Sequence, residues 1–194
     1  MLNHLESYRI ILASHSPRRK ELLEGLGLKF TVKSLPDVDE SYPDSLAGGE
    51  IAQYIACKKA DWYKPLLQDD DLLITADTLV YHKDQVLGKP ADREDAQAML
   101  RQLSGDEHEV YTGVCLLTKE FSSSFVACTK VRFASLTEEE ILYYVDEYKP
   151  FDKAGSYGVQ EWIGYIGVES ISGSFYNVMG LPVQRLYAEL KKMR

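Results

Sequence analysis

Apolar positions along the chain follow two spacings, short continuous or alternating runs that suit strands and three-to-four-residue recurrences that suit helices. Arg9–Ala13 ("RIILA") is such a run and predicts a buried strand. Ser14–Pro17 turns the chain, and Pro17 suits a first helical position. The helix it opens buries Leu22, Leu23 and Leu26 and stops near Gly25 or Gly27. Lys29–Leu35 alternates as a strand and leads into the acidic loop "PDVDES", while Glu50–Tyr63 has helical spacing through Ile51, Ile55 and Trp62.

Asp71–Tyr81 ("DLLITADTLVY") reads as a strand, followed by a turn at "HKDQ" and then "VLGKP". Asp92, supported by Asp95, caps a helix that packs through Met99, Leu100 and Leu103 and ends at Ser104-Gly105. Glu109–Thr118 and Ser124–Phe133 are two strands joined by a turn. Thr137 and Glu140 form a capping box for a helix carrying Ile141, Leu142, Val145 and Tyr148, stopped by Pro150. Tyr165–Ile171 predicts another strand, and a last helix from about Pro182 buries Val183, Leu186 and Leu190. Strands and helices intermix, so the expected class is α/β, and hairpin-like pairs beside strand–helix units point to a mixed sheet. With no repeat, low-complexity tract or linker, residues 1–194 read as a single domain.

Charge narrows the function classes. A formal net charge of −8 argues against charge-driven binding to nucleic acid or anionic membrane, so basic groups serving a small anion must be gathered locally. No apolar run approaches the ~18–20 residues that span a bilayer, and no signal-peptide pattern opens the chain, so a cytoplasmic protein is expected. Cys57, Cys115 and Cys128 are odd in number and lack CxxC spacing, which speaks against a disulfide framework or zinc knuckle; all three read as small buried hydrophobes.

Arg18 and Arg19 stand where a helix begins, although the helix start already carries partial positive charge. They also lie on the face of Leu22 and Leu23. A bound phosphate resolves both conflicts, with Ser14 and Ser16 as hydroxyl donors; otherwise Ser16 only caps the helix and the arginines pair with carboxylates elsewhere. Asp37, Asp39 and Glu40 offer hard oxygen ligands to a divalent cation, or form an ordinary solvated loop. Asp77 interrupts an apolar strand, where a carboxylate needs a partner, a metal or a raised pKa.

Lys58 and Lys59 both flank the apolar stripe of their helix, and spacing does not choose between them. Lys89, between glycine and proline in "LGKP", is either a cation aimed at phosphate or a surface lysine in a turn. Lys153 and Gln160 belong to "FDKAGSYGVQ", whose glycines permit close backbone approach. The four histidines are dispersed, with no zinc-like pair, and His108 reads as a structural hydrogen-bonder. Tyr54, Tyr143, Tyr144, Tyr176 and Tyr187 read mainly as core packing.

Taken together, "LASHSPRRKELL", "DVDE", "KKA", "ADTLV", "LGKP", "LSGDEHEVYTGV", "FDKAGSYGVQ" and "GSFYNVMGLPV" resemble the Maf family of nucleoside triphosphate pyrophosphatases, in the family's order from residue 12 to 183. The resemblance implies a two-lobed α/β fold with a long mixed sheet flanked by helices and a central cleft, like inosine triphosphate pyrophosphatases. It implies hydrolysis of a nucleoside triphosphate to monophosphate and pyrophosphate with Mg²⁺ or Mn²⁺. Carried onto these motifs, Ser14, Arg18, Arg19, Lys59 and Lys89 bind phosphate, Lys59 being chosen because it directly precedes the alanine of "KKA". The resemblance implies that Glu40 orients metal or water, that Asp77 accepts the water's proton, and that both are metal carboxylates. Arg18, Thr78 and Gln160 are similar to a subgroup acting on dTTP and UTP, with modified pyrimidine nucleotides left open. Glu161 departs from the pattern, which usually has glycine there. The competing expectation is a nucleotide-binding regulator of septum formation acting through protein contacts. Exposed aromatics on the last helices are compatible with a homodimer.

Overall fold

The run Arg9–Ala13 forms β1, with every side chain after Arg9 buried. It lies between two parallel neighbours, β2 (Phe30–Lys33) and β3 (Asp71–His82). The structure, a computed structural model, describes residues 2–33 and 38–193. The last two residues of the expected Lys29–Leu35 strand, and Asp37, fall outside the described residues.

At the end of β3 the chain reverses through Lys83 and Asp84, both with positive φ (48° and 62°), into the antiparallel β4 (Gln85–Leu87). Two positive-φ residues in succession make a turn whose twist matches that of the strands it joins. β5 (Glu107–Leu117), β6 (Ser122–Phe133) and β7 (Val168–Ser172) complete a seven-stranded sheet of order β2-β1-β3-β5-β6-β7, with β4 on β3. β6 and β7 are antiparallel, so the sheet is mixed, as expected.

The helices are α1 (Pro17–Glu24), α2 (Gly49–Tyr63), α3 (Arg93–Leu103), α4 (Glu138–Tyr148), α5 (Trp162–Gly167), α6 (Phe175–Met179) and α7 (Val183–Leu190). Their starts follow the sequence signals. Ser16 caps α1 ahead of Pro17, Asp92 caps α3 by accepting from the Asp95 N–H, and Thr137 and Glu140 form the reciprocal box of α4. Among the described residues no helix is long and apolar enough to cross a membrane.

The described residues divide into two compact units. The first takes the chain up to Asp77, Thr112–Ala127 and the residues from Gly180 onward; the second takes Thr78–Tyr111 and Cys128–Met179. In the first unit, Ile11 and Ala13 of β1, Leu73 of β3 and Leu117 of β5 pack with Ala60 and Tyr63 of α2. A Cβ at Gly113 would lie 2.3 Å from the carbonyl carbon of Ala52, so β5 and α2 meet backbone to backbone. In the second unit, Met99, Leu100 and Leu103 of α3 share a core with Phe133 and with Ile141, Tyr144 and Val145 of α4.

Several side chains depart from expectation. Trp62 is 44% exposed, and Tyr63 takes the core instead. The close approach at Gly113 selects a small residue at Ala52, which with Ala56 and Ala60 joins Ile51 and Ile55 on the buried face of α2. Leu26 lies beyond the end of α1 and is half-buried. On α4 the buried aromatic is Tyr144, while Leu142 is half-buried and Tyr148 exposed.

The expected strand Tyr165–Ile171 begins as helix. Gly164 of α5 packs on the Val159 backbone, Ile163 turns inward, and Tyr165 is left 84% exposed. Strand conformation starts only at Val168. α6 is held by the buried Asn177, whose side-chain amide donates to Val110 O and Thr129 Oγ1, each at 3.0 Å. The cysteines are free, but only Cys115 is fully buried; Cys57 is half-buried and Cys128 exposed. Tyr54, Tyr143 and Tyr176 are exposed rather than core residues.

Candidate active site

The first turn of α1 contains no acidic residue. Arg19 instead folds back across the first unit. Its Nε donates to Gly180 O at 2.9 Å, and its Nη1 reaches Ser14 Oγ at 3.4 Å. Ser14 is buried, and its hydroxyl oxygen also accepts from the Ser16 N–H at 3.2 Å. Desolvation holds the Arg19 pKa below the ordinary arginine value, Arg18 pushes the same way, and Asp77 and Glu40 act against both. A guanidinium stays charged through such shifts, so a partly desolvated cation is held beside two carboxylates.

Those carboxylates meet on Lys59. Its Nζ lies 2.7 Å from Asp77 Oδ1 and 2.8 Å from Glu40 Oε1. The Lys59 and Asp77 side chains are 11% and 13% exposed, whereas Glu40 faces solvent. The neighbouring Lys58 does something different. It donates to Asp39 Oδ2 and Ser41 O, both at 2.9 Å, and Asp39 itself receives the Ser41 N–H and hydroxyl. Those bonds, led by the Ser41 hydroxyl, keep the Asp39 carboxyl well below the usual carboxylate range. One turn of α2 thus pins the acidic loop with one lysine and joins Glu40 to Asp77 with the next, a distinction that spacing alone could not draw.

In the second unit, Thr78 is half-buried on β3 and Lys89 is exposed. The "LGKP" and "FDKAGSYGVQ" stretches are bonded together: Gly88 O accepts from Gly155 N at 3.0 Å. Gly155 has φ +66°, and a Cβ there would lie 2.8 Å from Val80 Cγ2, so glycine is required on both grounds. Lys153 is buried, with Nζ 2.8 Å from Asp152 Oδ1 and 3.1 Å from Glu161 Oε1. Gln160 Oε1 is shut off from solvent and accepts no hydrogen bond among the described residues.

The family model described as Maf-like protein matches residues 9–193. This chain belongs to the Maf family. A dTTP/UTP pyrophosphatase of Bacteroides thetaiotaomicron is 64% identical over 193 residues, covering 100% of both chains. One of Porphyromonas gingivalis is 53% identical over 193 residues, covering 98% of this chain and 97% of its own. A solved structure of the Staphylococcus aureus Ham1 protein has a TM-score of 0.51 at 14% identity, covering 93% of this chain and 99% of that one. That likeness concerns the fold and agrees with the α/β architecture expected from the sequence.

Within this Maf chain, Ser14, Arg19, Glu40, Lys59 and Asp77 come together in the first unit with Arg18 adjacent, and Thr78, Lys89 and Gln160 belong to the second. Glu40 and Asp77 suit a hard divalent cation, because both present oxygens to one cationic centre already and Glu40 is open to water. No group of three or more metal-ligating side chains occurs among the described residues. Two carboxylates nevertheless match Mg²⁺, which keeps several waters and takes its other ligands from substrate phosphate. Sequence reasoning missed Gly180, whose carbonyl anchors Arg19, and Tyr144, treated as core packing, whose hydroxyl contacts Glu161. Neither leaves a local signal, since each partner is remote along the chain.

Proposed function

We propose that this chain is a nucleoside triphosphate pyrophosphatase that hydrolyses dTTP and UTP to the monophosphate and pyrophosphate. The observation that carries the reading is Lys59 joining Asp77 and Glu40 beside the Arg19–Ser14 contact. This arrangement can neutralise a polyphosphate and hold a carboxylate ready for a proton. Full-length relatives named dTTP/UTP pyrophosphatase support it.

Ser14, Arg18, Arg19, Lys59 and Lys89 bind the phosphate oxygens. Displacement at phosphorus depends chiefly on such positioning and charge stabilisation. Lys59 fixes the Asp77 carboxylate through Oδ1. Asp77 takes the proton of the attacking water as its oxygen bonds to the α-phosphorus and the bond to the bridging oxygen of the β-phosphate breaks, releasing pyrophosphate. Glu40 and Asp77 would hold Mg²⁺ or Mn²⁺, which when bound supplies charge neutralisation at the phosphate oxygens.

Arg18, Thr78 and Gln160 select the base. An unsatisfied carboxamide oxygen at Gln160 seeks a donor, and its amide group offers one in return. The imide edge shared by uracil and thymine presents that complement, an N–H beside a carbonyl. The enzyme acts in the cytoplasm on free nucleotides rather than nucleic acid, in keeping with the net charge of −8.

The test is a pyrophosphate-release screen across standard and modified nucleotides, with and without Mg²⁺ or Mn²⁺. Metal-dependent release from dTTP and UTP above the purine nucleotides is expected. Nucleotide binding without pyrophosphate release under any condition would overturn the enzyme reading in favour of a regulator.

A further inference from the structure

Glu161 occupies the N-cap position of α5, where a side chain ordinarily turns toward the first free amides of its own helix. It makes no such bond. Its carboxylate turns inward instead. Tyr144 on α4 donates its hydroxyl to Glu161 Oε2, and Lys153 approaches Oε1 at 3.1 Å. The same tyrosine oxygen accepts from Gly158 N at 3.0 Å. The turn closes on itself through Glu161 N to Gly158 O at 2.9 Å.

Gly158 rests against the carboxylate so closely that a Cβ there would lie 2.7 Å from Glu161 Cδ and 2.9 Å from Oε2. Burial, reinforced by Glu161, raises the Tyr144 phenol, which therefore stays protonated and can donate while it accepts from Gly158. Three successive stretches (α4, the Lys153 segment and the start of α5) thus meet on one carboxylate. Gln160 stands between Gly158 and Glu161, within the turn they fix, and its amide oxygen is a buried acceptor that receives no hydrogen bond among the described residues.

We propose that Glu161, braced by Tyr144 and Lys153, is a positioning residue for Gln160 and thereby sets pyrimidine selectivity. The proposal rests on the reading of Gln160 as a base-selecting group. Its physical content is that a carboxamide discriminates between bases only if its donor and acceptor hold fixed directions. A loosened turn lets Gln160 rotate and accept the wrong edge. A residue at 161 with no side-chain acceptor would leave Tyr144 and Lys153 without these contacts; here the carboxylate supplies the brace.

The experiment compares kcat and KM for dTTP, UTP, CTP and GTP in the unaltered enzyme, Gln160→Ala, Glu161→Ala and Tyr144→Phe, with thermal melting of each. Tyr144→Phe removes one hydroxyl from a retained ring, so it stays informative if Glu161→Ala folds poorly. Glu161→Ala is expected to lower the ratio of UTP to GTP kcat/KM by about tenfold, the factor carried by one ordinary hydrogen bond, chiefly through KM. Tyr144→Phe shifts the ratio the same way by a smaller factor. If Gln160→Ala changes the ratio while Glu161→Ala and Tyr144→Phe only lower the melting temperature, the positioning role is overturned and the base reading survives. If Gln160→Ala leaves the ratio unchanged, both fall.

Discussion

Lys59 Nζ and Asp77 Oδ1 lie 2.7 Å apart, joining α2 to β3 through two side chains that are 11% and 13% exposed. Removing one charge of such a pair leaves the other poorly solvated, whereas an exposed pair can be lost with little consequence. Lys59→Met should therefore destabilise the protein by about 3 kcal/mol and abolish pyrophosphate release. Lys58→Ala, which loses the exposed contacts to Asp39 and Ser41, should cost below ~1 kcal/mol and retain turnover. Urea unfolding with pyrophosphate release on both variants checks the contrast, and equal losses would deny Lys59 its separate role.

Asp77→Asn preserves shape and an acceptor for Lys59 but cannot take a proton from water. A fall in kcat of about 10²–10⁴-fold with little change in KM is expected, the range typical of a lost general base. Circular dichroism should match the unaltered protein. Near-normal kcat would remove Asp77 from the chemistry.

Gly113 allows β5 to touch the backbone of α2 at Ala52 and Gln53. A methyl group placed 2.3 Å from backbone atoms cannot be accommodated by rotating a side chain. Gly113→Ala should displace α2 and cost about 1–3 kcal/mol, the usual range for overpacking. Because α2 carries Lys59, KM for the nucleotide should rise as well. Chemical denaturation and steady-state kinetics read the two effects separately.

The parts of the site that broke local rules were visible in the sequence. Arginines at a helix start and a carboxylate within an apolar strand both demanded a partner, and Arg19 and Asp77 have theirs. Capping signals were legible for the same reason, since Ser16, Asp92 and Thr137 act on amides three residues away. Choices settled by distant contacts were not legible. Nothing within α2 separates Lys58 from Lys59; the carboxylates of the 39–40 loop and β3 do. The apolar run at Tyr165 has no period that distinguishes strand from helix, and the packing of Gly164 on Val159 decides it. Glu161 looked like a departure from the pattern of the resemblance, yet Tyr144 and Lys153 lie in position to hold it.

His108 offers a test of stability against pH. It is buried, its Nε2 lies 2.7 Å from the Tyr157 hydroxyl, and its ring packs edge-on against Phe133 and Tyr157. Burial, with a smaller push from His82 and against a pull from Asp106, lowers its pKa from 6.5 to about 4. The folded state therefore prefers neutral His108, while the unfolded chain takes up a proton once the pH falls below 6.5. Stability from this residue is present above that value and is lost as the pH drops toward 4, where the folded form also protonates. Such a displacement corresponds to roughly 3 kcal/mol across the window. His108→Gln, which keeps a polar group for Tyr157 but does not titrate, should show a shallower loss of stability between these limits, with other groups cancelling in the comparison. Urea unfolding of both proteins at intervals across this range measures the difference; parallel curves would mean that His108 is not held neutral by its surroundings.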